Sequence, residues 1–347
     1  MFLPDLVIRS RRIVTPRGTA PGAIHVRNGK IIGVVGFDEV PADCPMDDAG
    51  DAVLLPGLVD VCAHLSGGLE RATQAAAAGG ITTVVAVSPP FDGQRGDDTY
   101  AVDVGFWGHA SAGNVDELPA IAGSGVFGFV CGPVTEADLR VIMTAVRRLN
   151  GFLMASDVSD TSPTDLVIRL CGELRTRTHL AHISPSTDLA PIFHARSARL
   201  PLTAQTSPRA LVLADSDLER EDRELLWAAL AGGVLQTIAS DRSPLPLSLT
   251  AAWTEARARG YTLDQIAQWM CHAPARLVGL DRKGAIDVGY DADLVVFDDD
   301  AAIKPAVTPY LGRTLRGRVE RTYLRGARIY DGATFSPPCG KLLVRRH

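Results

Sequence analysis

Cys62 and His64 stand two residues apart at the end of an apolar run, a spacing that on a strand points both side chains to one face. A thiolate and an imidazole are donors that zinc accepts. Similar apolar runs elsewhere end in other polar groups: Ser88, His109, Cys131, Ser156 with Asp157, His182 with Ser184, Thr206 to Arg209, and Asp241 with Arg242. Asp241 could serve as a general base or as a metal ligand. Thr206 and Ser207 offer hydroxyls that could orient a ligand, although such residues also cap and turn chains. Arg209 and Arg242 could pair with a buried carboxylate or hold an anion through two parallel hydrogen bonds. Nothing in the spacing marks a Ser-His-Asp triad. His109, His179 and His272 read as packing or solvated residues, and Cys131 and Cys171 as buried thiols.

These groups need elements to position them. Eight apolar runs, at 53–64, 81–88, 101–108, 125–131, 151–156, 177–184, 200–207 and 233–241, are rich in Val, Ile, Leu and Thr, as buried parallel strands are. Helical patterns at 69–79, 135–149, 162–174 and 222–231 fall between them. The alternation predicts a (β/α)8 TIM barrel, with chemistry at the C-terminal ends of the strands. The alternative, a doubly wound open sheet, lacks a G-x-G-x-x-G after its first strand. Shorter alternating patterns at 6–14, 23–35, 292–297 and 320–330, with turns at Asn28-Gly29 and Arg325-Gly326, predict β-structure made jointly by both ends. The expected division is a barrel over 53–284 and a composite β-sandwich from 1–52 and 285–347.

The totals fit this class. With 347 residues, 46% hydrophobic and 22% charged, one large α/β unit with an appendage is expected. A net charge of −5 without a basic stripe argues against nucleic-acid binding. No apolar run approaches a bilayer span of ~20 residues, and the opening residues lack the features of a signal peptide. Six cysteines without paired spacing suit free thiols in a reducing cytoplasm.

The string PGLVDVCAH at 56–64 resembles the first-strand signature of amidohydrolases, which ends in His-x-His. The segments AAAAGGITTVV (75–85), VDVGFWG (102–108), APARLVGLDRKGAIDVGYDAD (273–293) and TPYLGRTLRGRVERTYLRG (308–326) are similar to allantoinases in particular. The resemblance runs through nearly the whole chain. It implies a barrel with a terminal β-sandwich, and hydrolysis of a cyclic amide or ureide by two divalent metals. It also implies six ligands, only some of which stand here. The first histidine is Cys62; the second is kept as His64. Val130 takes the place of a carbamylated lysine and Ala155 that of a strand-five histidine. His182 and Asp241 are kept. The chain reads Ser207-Pro208-Arg209 where relatives have Cys-Pro-His, and Arg242 where they have histidine. The loop 65–68 is short.

Valine cannot carry a carbamate, so the family's metal pair is not expected. Cys62, His64, His182 and Asp241 could hold at most one zinc ion with an open position. In the alternative the site is metal-free and Arg209 or Arg242 balances Asp241. Three functions remain open: an enzyme that hydrolyses or closes a small cyclic amide, ureide or imide; a silent homologue serving as a partner subunit of an active relative; and a small-molecule binding protein. A homo-oligomer is plausible, and the silent-homologue reading implies a heteromer with an active relative.

Overall fold

A computed structural model of the chain describes residues 3–88, 99–156, 164–213, 216–241, 243–307 and 309–345. The eight central runs become parallel strands at Leu58–His64, Ile81–Ser88, Asp103–Phe106 (resumed at Gly108–His109), Phe129–Cys131, Phe152–Ala155, Arg177–Leu180, Leu202–Thr206 and Thr237–Ile238. They form a three-stranded and a six-stranded parallel sheet. Two backbone bonds, from Trp107 N–H to Ala86 O (3.0 Å) and from Gly108 N–H to Gly128 O (2.9 Å), join these across the third strand. A parallel bridge between Ala63 and Asp241 closes the ring from last strand to first. The expected (β/α)8 barrel therefore forms.

Strand alternation sorts the side chains. Trp107, Val130, Phe152, Met154, Ala181 and Ala239 pack in one cluster with Cys62 inside the barrel. The residues between them, such as Leu153, Leu180 and Ile238, pack outward in the main cluster with the helices. The covering helices include Leu69–Ala78, Glu136–Arg148, Thr164–Leu174, Leu189–Ser197, Asp217–Ala231 and Ser248–Ala258. Their starts are capped as the sequence dictates: Thr135 accepts from Asp138 N–H, and Ser216 forms a capping box with Glu219.

Both ends of the chain build one eight-stranded sheet. The front half supplies Leu6–Thr15, Gly18–Arg27, Lys30–Val35, Met46–Asp48 and Val53–Pro56, and the back half Leu294–Ile303, Leu315–Leu324 and Ala327–Tyr330. Positive φ at Asn28 and Gly29 (49° and 75°) and at Arg325 and Gly326 (49° and 77°) turns two of the hairpins, as mirror-image tight turns require. The expected strand over 53–64 is in fact two. Residues 53–56 pair with the terminal sheet and 58–64 with the barrel. The break is at Gly57, whose N–H bonds Asp293 O at 2.7 Å and where a Cβ would collide with Thr82.

A buried charge cluster fastens the terminal sheet to the start of the third barrel strand. Lys283, 6% exposed, lies 2.5 Å from Asp293 and 2.9 Å from Asp103, both 2% exposed. Arg325 donates to both oxygens of Asp103 at 2.7 and 2.6 Å. The C-terminal segment also packs on the barrel: Val104 N–H bonds Lys341 O and Leu343 N–H bonds Val104 O. Among the described residues, no helix is long and apolar enough to cross a membrane. All six cysteines are free thiols.

Candidate active site

The mouth of the barrel gathers side chains from its first, sixth and eighth strands. Cys62 Sγ and His182 Nε2 are hydrogen-bonded at 3.1 Å, the donor depending on the imidazole tautomer. Asp241 Oδ1 lies 3.1 Å from His182 Nε2 and 3.7 Å from His64 Nε2. Cys62 is fully buried, while His182, Asp241 and His64 keep 14%, 17% and 31% of their side chains exposed. The thiol thus forms the floor, and the two imidazoles and the carboxylate face the opening.

The backbone makes unusual turns to achieve this. Alternation along the sixth strand sends His179 and Ala181 inward and would send His182 outward. A φ of 62° at His182 breaks the alternation and brings its ring to Asp241. Asp241 itself has φ 53°. Two non-glycine residues in the left-handed region at neighbouring strand ends are local strain of the kind concentrated at functional sites.

Beside them opens a cavity of about 500 Å³. Its lining includes His182, Asp241, Ser207, Arg209, Glu219 and Asp222. Ser207 caps the short helix Pro208–Val212, accepting from Ala210 N–H at 3.3 Å. That cap aims exposed Arg209, the next residue but one, along the cavity wall. Asp222 is fixed by Ser186 N–H at 3.0 Å.

The other sequence-predicted residues fall out as follows. Thr206 pairs with Ile238, on the outward face; it is fully buried, and it is absent from the cavity lining, so it does not present a hydroxyl there. Arg242 and Asp157 lie outside the described residues. His179 is a core residue. It is fully buried between Thr203 Oγ1 (2.8 Å) and Gln205 Oε1 (2.9 Å), and burial pushes its pKa down to about 4 despite the Gln205 bond. Ala155 packs outward, and the inward residue in register with Val130 is Met154.

These placements bear on metal binding. Val130, 8% exposed, and Met154 line the interior in register with each other, and neither side chain supplies a nitrogen or oxygen donor for a bridged pair of ions. A single ion is chemically different, because sulfur, two nitrogens and an oxygen suit zinc. Among the described residues, Asp241 Oδ1 is buried without a hydrogen bond although His182 Nε2 is 3.1 Å away, an unsatisfied acceptor that a cation would complete. Among the described residues no three His, Cys, Asp or Glu side chains are arranged around a common metal position.

One residue of the site went unread in the sequence. Asp60 is 4% exposed and accepts hydrogen bonds from Cys62 N–H (3.0 Å) and Ser240 N–H (2.9 Å). Its signal was available: a carboxylate in the middle of an apolar strand must find partners when buried.

The model of the amidohydrolase family matches residues 154–329, and that of the allantoinase composite domain residues 5–44. The allantoinase of Streptomyces avermitilis is 35% identical across 98% of this chain and 99% of its own length. The alignment takes 440 positions, so the relative carries much chain that has no counterpart among these 347 residues. Arabidopsis thaliana allantoinase is 29% identical over 96% of this chain and 90% of its own. An L-hydantoinase (dihydropyrimidinase) structure from Arthrobacter aurescens superposes with a TM-score of 0.88 over 99% of this chain and 100% of its own. At 21% identity that likeness speaks for the fold.

Proposed function

Because the chain belongs to the amidohydrolase family, among its allantoinase-like cyclic amidohydrolases, we propose that it acts on the C–N bond of a small cyclic amide, ureide or imide, opening or closing the ring, without the family's metal pair. The observation that carries this reading is the convergence of His182, Asp241, His64 and Cys62 at the barrel mouth, with His182 and Asp241 lining the cavity, while valine stands where the resemblance puts a bridging lysine. The cavity suits such a ring. A ureide alternates N–H donors and carbonyl acceptors. Asp241, Asp222 and Glu219 supply acceptors, and Arg209 supplies guanidinium donors for a carbonyl or a product carboxylate.

In this reading Asp241 takes the proton of the attacking water and His182 returns one to the leaving ring nitrogen. Their Nε2 and Oδ1 atoms lie 3.1 Å apart, so a small reorientation that aligns them lets a proton pass between them within the cycle. Ser207 and Arg209 orient the ring. One ion of the zinc type, if bound by Cys62, His64, His182 and Asp241, would supply Lewis-acid polarisation of the carbonyl. The free thiols fit a reducing compartment such as the cytoplasm.

A panel of cyclic ureides and imides, assayed for ring opening alongside metal analysis of the purified chain, tests the proposal. Turnover with at most one ion per chain is expected, and Asp241→Asn should lower kcat by about 100-fold or more. Undiminished turnover in that variant would remove Asp241 from the chemistry. The loss of two ligand positions also favours a second reading, a silent subunit supporting an active relative. That reading requires no turnover, together with a stable heteromer.

A further inference from the structure

Asp60 is placed to act on both walls of the seam where the barrel closes. One oxygen accepts from Cys62 N–H, on the first strand, and the other from Ser240 N–H, on the chain that carries Asp241. The adjacent Ala63–Asp241 bridge is the parallel pairing that joins these two chains. Both of these hydrogen bonds come from backbone N–H groups, so the carboxylate holds peptide planes rather than a cation.

We propose that Asp60 is a positioning residue, a two-oxygen clamp that fixes the backbone of Cys62 and Ser240 and thereby the direction in which Asp241 presents its carboxylate. The left-handed turn at Asp241 persists only if its surroundings hold it. Asp60 grips the Ala239–Ser240 peptide, one peptide unit ahead of the one that enters that turn. Two simultaneous acceptors are needed. Serine or threonine would not span both N–H groups, and asparagine would set an NH2 donor against one of them, leaving two donors face to face. The clamp holds backbone N–H groups and makes no use of the side chains at the family's ligand positions. It would serve Asp241 as a base and as a ligand alike.

The inference rests on the proposed role of Asp241 for its kinetic consequence, but not for its geometric one, and the test separates the two. The full chain and its Asp60→Asn variant are compared by amide hydrogen exchange at residues 62 and 240, by the 13C shift of the Asp241 carboxyl, and by ring-opening kinetics. In the variant, both amides should lose about ten-fold or more of their protection, and the Asp241 resonance should move. The kcat should fall roughly 10- to 100-fold with KM within about three-fold, as when a residue behind a reacting group is changed. Unchanged exchange and an unchanged Asp241 resonance would overturn the clamp whether or not the chain is an enzyme. Altered exchange with no turnover in the unaltered chain would leave the clamp standing and sink the hydrolase reading. Altered exchange with undiminished kcat would overturn the positioning role. Should Asp60→Asn not fold, Asp60→Thr, which cannot span both N–H groups, is read in the same way.

Discussion

Replacing Lys283 by methionine should destabilise the protein by an amount set by the two carboxylates it leaves behind. The ammonium is 6% exposed and touches Asp293 and Asp103. Burial works against its charge, but the two carboxylates outweigh burial and hold its pKa above the usual lysine range. Without it Asp103 keeps Arg325 and Lys341 N–H, but among the described residues Asp293 keeps only Arg325 N–H. Removing one member of such a buried pair costs about 3–5 kcal/mol. With an unfolding entropy of about 2.1 cal/mol/K per residue over 347 residues, this lowers Tm by roughly 4–7 °C. Calorimetry at pH 8 and pH 5 is the assay. Burial first, and then neighbouring Asp103, raise the pKa of Asp293, with Lys283 opposing them, so in the variant Asp293 should protonate more readily. The deficit should therefore shrink at pH 5. A fall in Tm under ~1 °C, or a deficit that grows on acidification, would refute the reasoning. Turnover per folded molecule should not change, since the cluster adjoins the N-terminal end of its strand.

Two further outcomes follow. His179 has a folded-state pKa of about 4, below the ordinary value of ~6.5, so the unfolded chain binds the proton more readily. Its stabilising contribution is complete above pH ~6.5 and is lost as pH falls towards 4, by roughly 3 kcal/mol in total. Urea unfolding across that window should show the decline, and His179→Gln should flatten it. Val130→Lys with Met154→His, both inward-facing, should raise metal content in the presence of zinc and bicarbonate, whereas Val130→Lys with Ala155→His should not, because Ala155 faces the helices. Equal metal content in the two variants would refute the assignment of faces.

Most of the barrel was legible because its strands are buried on both sides, which leaves plain apolar runs. What the runs concealed was phase. Nothing in Leu153-Met154-Ala155 says which residue faces in, and the register with Val130 settles it. Thr206 was misread for the same reason. The helix Leu189–Ser197 went unseen because its apolar residues are not confined to one stripe and exposed Phe193 breaks the pattern. The break at Gly57 was hidden because the strands on either side of it are equally apolar. At the site, Cys62, His64, His182 and Asp241 were readable as strand-end polar groups, but the left-handed turn that rescues His182 leaves no trace in composition.

The terminal sheet sets the timetable of folding. Its inner strand, Val53–Pro56, lies between Leu6–Thr15, close in sequence, and Leu294–Ile303, which follows the whole barrel. During synthesis the early hairpins must wait with an apolar edge open until more than two hundred intervening residues have emerged. An unpaired edge of this kind recruits other chains as readily as its own partner. Recombinant yield should therefore depend on synthesis rate and chaperone supply more than on the measured stability of the finished fold.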